Sequence, residues 1–135
     1  MKIGIVGSRT YQSKMKVKEL IFKCKQEFGE NLSIVSGGQP KGADGFAKKY
    51  ALELNVNYRE FPPRHYNWNS HCVKDATHYG KPYRPWNFFD RNTEIAEDSD
   101  VVFCFVTGGI IENSKGTYDT YQKAINLNKK VQVIS

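Results

Sequence analysis

The chain has 135 residues, of which 39% are hydrophobic and 25% charged, and this composition excludes disordered, collagen-like and coiled-coil classes. Its formal net charge is +6, and the whole excess of Lys and Arg lies in residues 1–64. A basic balance raises the question of a nucleic-acid partner. Three Cys residues without CxxC spacing argue against a disulfide framework or a zinc ribbon, and no apolar run is long enough to span a membrane. We therefore expect one domain over residues 1–135, located in the cytoplasm, with no membrane partner.

Short β-branched runs alternate along the chain with stretches of helical spacing. The pattern predicts strands at 2–6, 32–35, 56–61, 100–106 and 131–134, and helices at 12–28, 42–54, 91–97 and 116–128. Residues 65–89 are rich in Trp, Tyr and His and have no clean period, so they are predicted to form a long aromatic loop. Apolar strands that alternate with helices predict an α/β fold with a doubly wound parallel sheet of about five strands.

Three of the predicted strand ends are rich in glycine and small polar residues. They comprise residues 7–9, 36–44 and 108–117. Because parallel strands end at one edge of a sheet, we expect these segments to meet in one crevice beside helix N-termini. Glycine allows backbone N–H groups to approach an anion, and Ser and Thr add hydroxyl donors. Glycine can serve turn geometry alone, but three such segments together favour a phosphate-binding edge.

Two standard nucleotide-binding signatures are absent. Gly37 and Gly42 have the GxxxxG spacing of a P-loop, but Ala43 and Asp44 follow where Lys and Ser or Thr would stand. Residues 4–7 do not match the GxGxxG motif of dinucleotide sites. The sequence therefore argues against P-loop ATP hydrolysis and against a conventional NAD site, and no cofactor is predicted.

Charged and polar side chains at the same edge complete the predicted site. Arg9 and Arg91 can each meet either a phosphate or an intramolecular partner. Asp44 is placed in the first turn of a helix, where the dipole favours a negative charge, or in contact with a ligand group such as a ribose hydroxyl. The predicted ligand-binding residues are Gly7, Ser8, Arg9, Ser36, Gly37, Gly38, Lys41, Gly42, Asp44, Arg91, Asn92, Ser114, Lys115, Gly116 and Thr117.

The aromatic loop offers two further kinds of candidate. Trp68, Tyr79 and Trp86 are candidates for stacking on a purine, and a hydrophobic cluster that pins the loop to the body is the alternative. His65, His71, Cys72 and His78 match no standard metal-site spacing, so no metal is predicted.

Six motifs follow one another through nearly the whole chain: KIGIVGSR at 2–9, IVSGGxxxGAD at 34–44, FPP at 61–63, YGK at 79–81, RNxxIAExSD at 91–100 and SKGTxxT at 114–120. This set resembles the SLOG superfamily of Rossmann-like domains, and is most similar to its small stand-alone branch of YspA-like and YpsA-like proteins. The resemblance implies a single-domain Rossmann-like fold that binds nucleotides or nucleotide-derived molecules. It implies no particular reaction for this branch.

The LOG phosphoribohydrolases of the same superfamily cleave the base from a nucleoside monophosphate. Their motif PGGxGTxxE resembles residues 112–120, where Gly116 and Thr117 match, but Thr120 stands at the position of the catalytic Glu. In that family an Arg elsewhere in the chain assists catalysis, and Arg91 is the candidate for that role here. Breaking an N-glycosidic bond also needs a carboxyl group, which Asp44 or Asp119 could supply. The catalytic candidates are therefore Arg91, Asp119 and Asp44, and the replaced Glu argues against the hydrolase reaction.

The sequence thus predicts that the chain binds a nucleotide or nucleotide-derived small molecule at the carboxyl edge of the sheet. It would act as a sensor, a sequestering protein or a processing protein in nucleotide signalling. The alternative is N-glycosidic hydrolysis of a nucleotide, and a second alternative, suggested by the charge and by DNA-binding members of the superfamily, is nucleic-acid binding. Homo-oligomers are common in the superfamily, so a homo-oligomer is expected.

Overall fold

Five parallel strands form the centre of the molecule in the computed structural model, which describes residues 1–63 and 85–135. The strands are β1 (Lys2–Gly7), β2 (Ser33–Ser36), β3 (Asn57–Glu60), β4 (Val101–Phe105) and β5 (Lys130–Ile134). Their order in the sheet is β3-β2-β1-β4-β5, and each neighbouring pair is parallel. The predicted doubly wound α/β sheet of five strands is confirmed.

In the described residues, four helices connect the strands: α1 (Lys14–Phe28), α2 (Gly42–Glu53), α3 (Pro85–Asp98) and α4 (Lys115–Asn126). Short 3₁₀ turns lie at Gly29–Asn31, Thr107–Gly109 and Ile111–Asn113. The prediction of a single domain over 1–135 stays a prediction, because residues 64–84 lie outside the described part of the chain. Within 1–63 and 85–135, no helix has both the length and the apolar character that crossing a membrane requires.

Different helix pairs cover the two faces of the sheet. α1 and α2 pack on one face, and α3 and α4 pack on the other. Strand residues alternate between the two cores, so that Ile5 faces α1 and α2 while Val6 faces α3 and α4. A fully buried Ile or Val side chain stabilises the fold by about 1.5 to 3 kcal/mol, so this packing holds the helices on the sheet.

The outer strands of the sheet carry charged residues in exposed positions. Arg59 and Glu60 are exposed on β3, and Lys130 is exposed on β5. β3 is also joined to the end of α3, because Arg59 Nε donates to Asp98 Oδ2 at 2.7 Å.

The start of α3 differs from the sequence prediction. The helix begins at Pro85, six residues before the predicted start at 91, so residues 85–89 belong to α3 and not to the predicted loop. Proline suits the first position of a helix, since its fixed φ is helical and no N–H is needed there. The periodicity was obscured because two buried positions of this helix, Asn87 and Asn92, are polar. Of the predicted loop, residues 65–84 lie outside the described part of the chain.

Gly42 sets the first turn of α2 directly against the segment that follows β1. Its φ is 71°, and a Cβ at this position would overlap the carbonyl oxygen of Ser8. The Ala43 N–H donates to that same carbonyl at 3.5 Å. Because only glycine tolerates this approach without strain, it brings the beginning of α2 beside Arg9.

Candidate functional site

A cavity of about 200 Å³ opens at the carboxyl end of β1. The strand order reverses between β1 and its neighbour β4, and ligands of doubly wound folds bind at such a point. The walls come from the end of β1, the beginnings of α2 and α4, and the first half of α3. The lining residues are Val6, Gly7, Arg9, Gln39, Asp44, Phe88, Phe89, Arg91, Asn92, Ile95, Ser114, Gly116, Thr117 and Thr120.

Two arginines, Arg9 and Arg91, line this cavity. The Arg91 side chain is held by its own hydrogen bonds, since Nη1 donates to the carbonyl of Gly37 at 2.9 Å and Nε donates to Asn92 Oδ1 at 2.9 Å. Burial lowers the pKa of Arg91, and the nearby positive charge of Arg9 lowers it further, while Asp44 and Glu94 oppose both effects. The Arg9 side chain is exposed and makes no ion pair with any described residue. Two positive charges therefore lie close together on one cavity.

Asp44 lies on the cavity wall in the first turn of α2 and is 7% exposed. A Cβ at Gly37 would lie 3.0 Å from Asp44 Oδ2 and 3.0 Å from Arg91 Cζ, so the carboxyl and guanidinium groups flank the same backbone. Burial raises the pKa of Asp44 to about 7, although Arg91 and the backbone amides of Gln39, Gly37 and Gly7 favour the charged form. This carboxyl group therefore titrates near neutral pH.

The first turn of α4 forms the third wall. The Ser114 hydroxyl donates to Thr117 Oγ1 at 2.8 Å, and Thr117 is buried. The first N–H groups of a helix have no partner within the helix and carry a partial positive charge, so they favour an anion. Asn92 holds this turn against α3, because its Nδ2 donates to the Gly116 carbonyl at 3.3 Å.

The remaining predicted ligand residues lie around the cavity but not on its wall. Ser8 lines a smaller neighbouring recess of about 70 Å³, which shares Ser114 with the main cavity. The Ser36 hydroxyl donates to the Ile5 carbonyl at 2.7 Å and is fully buried, so it joins two strands. Gly37 supports Arg91, Gly38 packs on Glu60, and Gly42 contacts Ser8. Lys41 and Lys115 are exposed at the starts of α2 and α4.

The three catalytic candidates do not all lie in the cavity. Asp44 and Arg91 line the cavity, whereas Asp119 does not. Asp119 Oδ2 accepts hydrogen bonds from Asn92 Nδ2 at 3.1 Å and from Lys123 Nζ at 3.0 Å, so it joins α3 to α4. Thr120, at the position of the LOG Glu, lines the cavity but donates its hydroxyl proton to the Gly116 carbonyl at 3.1 Å.

Several lining residues were missed by the sequence analysis, including Gln39, Phe88, Phe89 and Thr120. Thr120 follows Thr117 by one helical turn, so the i, i+3 spacing was a usable signal. The Phe88 ring lies 5.7 Å from the Arg91 guanidinium carbon, one turn earlier on α3. Trp86 is exposed and does not line the cavity.

Two groups of predicted candidates fall on residues that the structure does not describe. The stacking candidates Trp68 and Tyr79 lie outside the described residues. So do the residues considered for a metal, His65, His71, Cys72 and His78. In the rest of the chain, no group of three or more His, Cys, Asp or Glu residues could hold a metal ion.

The comparison with known proteins extends to solved structures alone, since no protein-family model and no curated protein matches the chain. It is similar to DNA processing protein A (DprA) from Streptococcus pneumoniae, with a TM-score of 0.69 and 20% identity over 99% of this chain and 50% of that chain. For DprA from Helicobacter pylori, described with its single-stranded DNA binding mode, the TM-score is 0.71 and the identity 20%, over 98% of this chain and 64% of that one. For the molybdenum cofactor binding protein from Rippkaea orientalis, the TM-score is 0.66 and the identity 21%, over 98% of this chain and 74% of that chain.

The chain thus spans 50% and 64% of the two DprA chains. Identities near 20% establish a shared fold and no shared activity. The chain has the Rossmann-like α/β fold of these proteins.

Proposed function

We propose that the chain binds a nucleotide-derived small molecule in this cavity, with an anionic phosphate group held by Arg9, Arg91 and the first turn of α4. In this role it would sense, sequester or process the molecule. The Ser114 and Thr117 hydroxyls would add donors to the same phosphate.

The observation that carries this proposal is the pair of arginines. Arg9 and Arg91 line one cavity, and both burial and the positive charge of Arg9 lower the pKa of the partly buried Arg91. Arginine cannot lose its proton at neutral pH, so the repulsion persists in the free protein. An anion between the two guanidinium groups would relieve it, and planar guanidinium groups suit phosphate oxygens.

A small ligand is favoured over nucleic acid by what the basic residues of α1 contact. Lys16 Nζ donates to the Ser135 carbonyl at 2.6 Å, Lys18 Nζ lies 3.2 Å from Glu53 Oε1, and Lys25 Nζ donates to the Leu54 carbonyl. Three of the five lysines of this helix are therefore engaged within the chain. Among the structural neighbours, one is described with single-stranded DNA and one binds the molybdenum cofactor, so this fold serves both kinds of partner.

N-glycosidic hydrolysis is a second candidate, and Asp44 is the observation that favours it. A carboxyl group that titrates near pH 7 inside a cavity is suited to exchange a proton with a substrate. The position of the LOG Glu offers no such group, because Thr120 is turned towards its own helix. We therefore place turnover second to binding.

The proposal is tested by thermal shift with nucleoside monophosphates, ADP-ribose, cyclic dinucleotides and inorganic phosphate. A ligand at a hundred times its Kd adds about 2.7 kcal/mol of stability, which raises the unfolding midpoint by several degrees.

We expect Arg9→Ala to lower the affinity for a ligand that wild type binds by about tenfold or more, since a charge-assisted hydrogen bond is lost. Because Arg9 is exposed, the unliganded midpoint should stay close to that of wild type.

Lys23→Ala is the matched control, because Lys23 is an exposed residue of α1 and its removal changes the net charge equally. Equal loss of affinity in both variants would attribute binding to overall charge and contradict the site. No stabilisation by any phosphate compound would contradict the proposal itself. Free base released from a bound nucleotide would add hydrolysis to binding.

A further inference from the structure

One oxygen of Asp44 has no hydrogen-bond partner among residues 1–63 and 85–135. Asp44 Oδ1 is buried and makes no hydrogen bond with any described residue, although the side chain lines the cavity. A buried polar atom without a partner is rare in folded proteins and costs stability. The free protein therefore holds a buried acceptor, on a side chain that lines the cavity, that its own described residues do not satisfy.

The groups around this carboxyl determine which kind of ligand group can be the hydrogen-bond partner of Oδ1. Arg91 on α3 and the backbone amides of Gly7, Gly37 and Gln39 face it, and Tyr58 on β3 lies near enough to interact with its charge. Arg9 lines the same cavity. With two guanidinium groups at this wall, a cationic group of a ligand would be repelled. The missing partner is therefore a neutral hydrogen-bond donor.

The size of the cavity limits which part of a ligand can supply this hydrogen-bond donor. At about 200 Å³ it is smaller than the roughly 300 to 1,000 Å³ of pockets that hold whole drug-sized ligands. It can enclose a phosphate and the part of the ligand bonded directly to it, while the rest of a nucleotide-sized molecule would lie outside. In a phosphate ester of a sugar, the neutral donors nearest the phosphate are hydroxyl groups.

We propose, on the basis of the anion-binding function above, that Asp44 Oδ1 accepts a hydrogen bond from a sugar hydroxyl of the ligand. The site then recognises a sugar phosphate through two contacts, the phosphate on the arginines and the hydroxyl on Asp44. Asp44 is a specificity-determining residue in this arrangement, because a phosphate without a hydroxyl neighbour leaves Oδ1 unsatisfied.

The test compares ribose 5-phosphate with inorganic phosphate by isothermal titration calorimetry, on wild type, Asp44→Asn and Asp90→Asn. Asp90 is an exposed residue of α3 that does not line the cavity, so Asp90→Asn makes the same chemical change as a control. We expect wild type to bind ribose 5-phosphate at least about tenfold more tightly than phosphate, as a charge-assisted contact predicts. Asp44→Asn should lower the affinity for ribose 5-phosphate at least about fivefold and leave that for phosphate equal or higher.

A second readout separates this role from a structural one. At pH 8, above the raised pKa of Asp44, Asp44→Asn removes a buried charge without changing the shape of the side chain, so the unliganded variant should melt above wild type, whereas Asp90→Asn should not. A lower midpoint for Asp44→Asn, or an equal loss of affinity for both probes, would overturn the assignment of Asp44 and leave the anion site intact. Failure of wild type to bind either probe would instead overturn the anion site, and the role of Asp44 with it.

Discussion

Asp44 shows how a single buried carboxyl group can oppose folding in a protein that retains it. Its pKa in the folded chain is raised to about 7 from an ordinary value of 3.8, because burial disfavours the ionised form more than Arg91 favours it. The unfolded chain loses this proton near pH 4, whereas the folded chain keeps it until about pH 7. Folding therefore becomes less favourable as the pH rises through this range, and the cost is constant above it.

The pH dependence of stability gives a direct test of this cost. We expect the free energy of unfolding of Asp44→Asn to exceed that of wild type by a margin that grows by about 3 kcal/mol between pH 5 and pH 8. Urea unfolding of both proteins at the two pH values measures this margin. Asp98 has the opposite shift, since Arg59 and Lys2 lower its pKa, so its contribution is constant above pH 5 and cancels in the difference. Parallel pH profiles of the two proteins would contradict the buried, titrating carboxyl group.

Some residues of the site could be predicted from the sequence because they follow a strand end, and others could not. Arg9, Asp44 and Ser114 were identified because each follows a strand end with glycines nearby, and the structure brings them to one cavity. Gln39 carries no such signal, since its residue type suits any exposed loop. Phe88 could have been identified only if residues 85–90 had been recognised as helical.

Helices α3 and α4 are joined beside the cavity by a chain of polar contacts. Asn92 accepts from Arg91 Nε and donates to both the Gly116 carbonyl and Asp119, and Lys123 bridges Asp119 and the Phe89 carbonyl at 3.0 and 2.6 Å. One buried amide therefore fixes the direction of a guanidinium group and the position of a helix start. The order of strands and helices followed from the apolar pattern, but this junction did not, because it is made of polar residues from distant segments.

Asn92→Ala should reveal how strongly this junction holds. It leaves Arg91 Nε without its acceptor, which costs about 1 to 3 kcal/mol, removes one of the donors to the Gly116 carbonyl, and frees Arg91 to turn away from the cavity. We expect a lower midpoint in urea and a weaker affinity for inorganic phosphate. Thr93→Ala is the control, since the Thr93 hydroxyl donates to Phe89 within α3 itself at 3.1 Å. Equal effects in the two variants would show that the junction has no special role.

The net charge of +6 divides into parts with different roles. Lysines of α1 form contacts within the chain, whereas Arg9 and Arg91 face the cavity. The charge of the molecule thus points to a small anion more than to a long polyanion. The expected homo-oligomer remains a prediction that calls for a measurement in solution.

Binding to single-stranded DNA separates these possibilities. We expect a labelled oligonucleotide to be retained weakly at low salt and released at about 150 mM, as screening removes contacts between exposed charges. Under the same conditions a phosphate ligand in the cavity should remain bound. Fluorescence anisotropy over a salt series measures both. Tight oligonucleotide binding at about 150 mM, reduced by Lys14→Ala and Lys23→Ala, would favour a nucleic-acid function instead.

The charged residues on the two outer strands bear on how this molecule meets others. An outer strand has unpaired N–H and C=O groups that can pair with a strand of another chain, and charged side chains there discourage such pairing. With Arg59 and Glu60 exposed on one outer strand and Lys130 on the other, the sheet is protected from continuing into a neighbouring molecule. These charges therefore disfavour association between copies of this chain through the two edges of the described sheet.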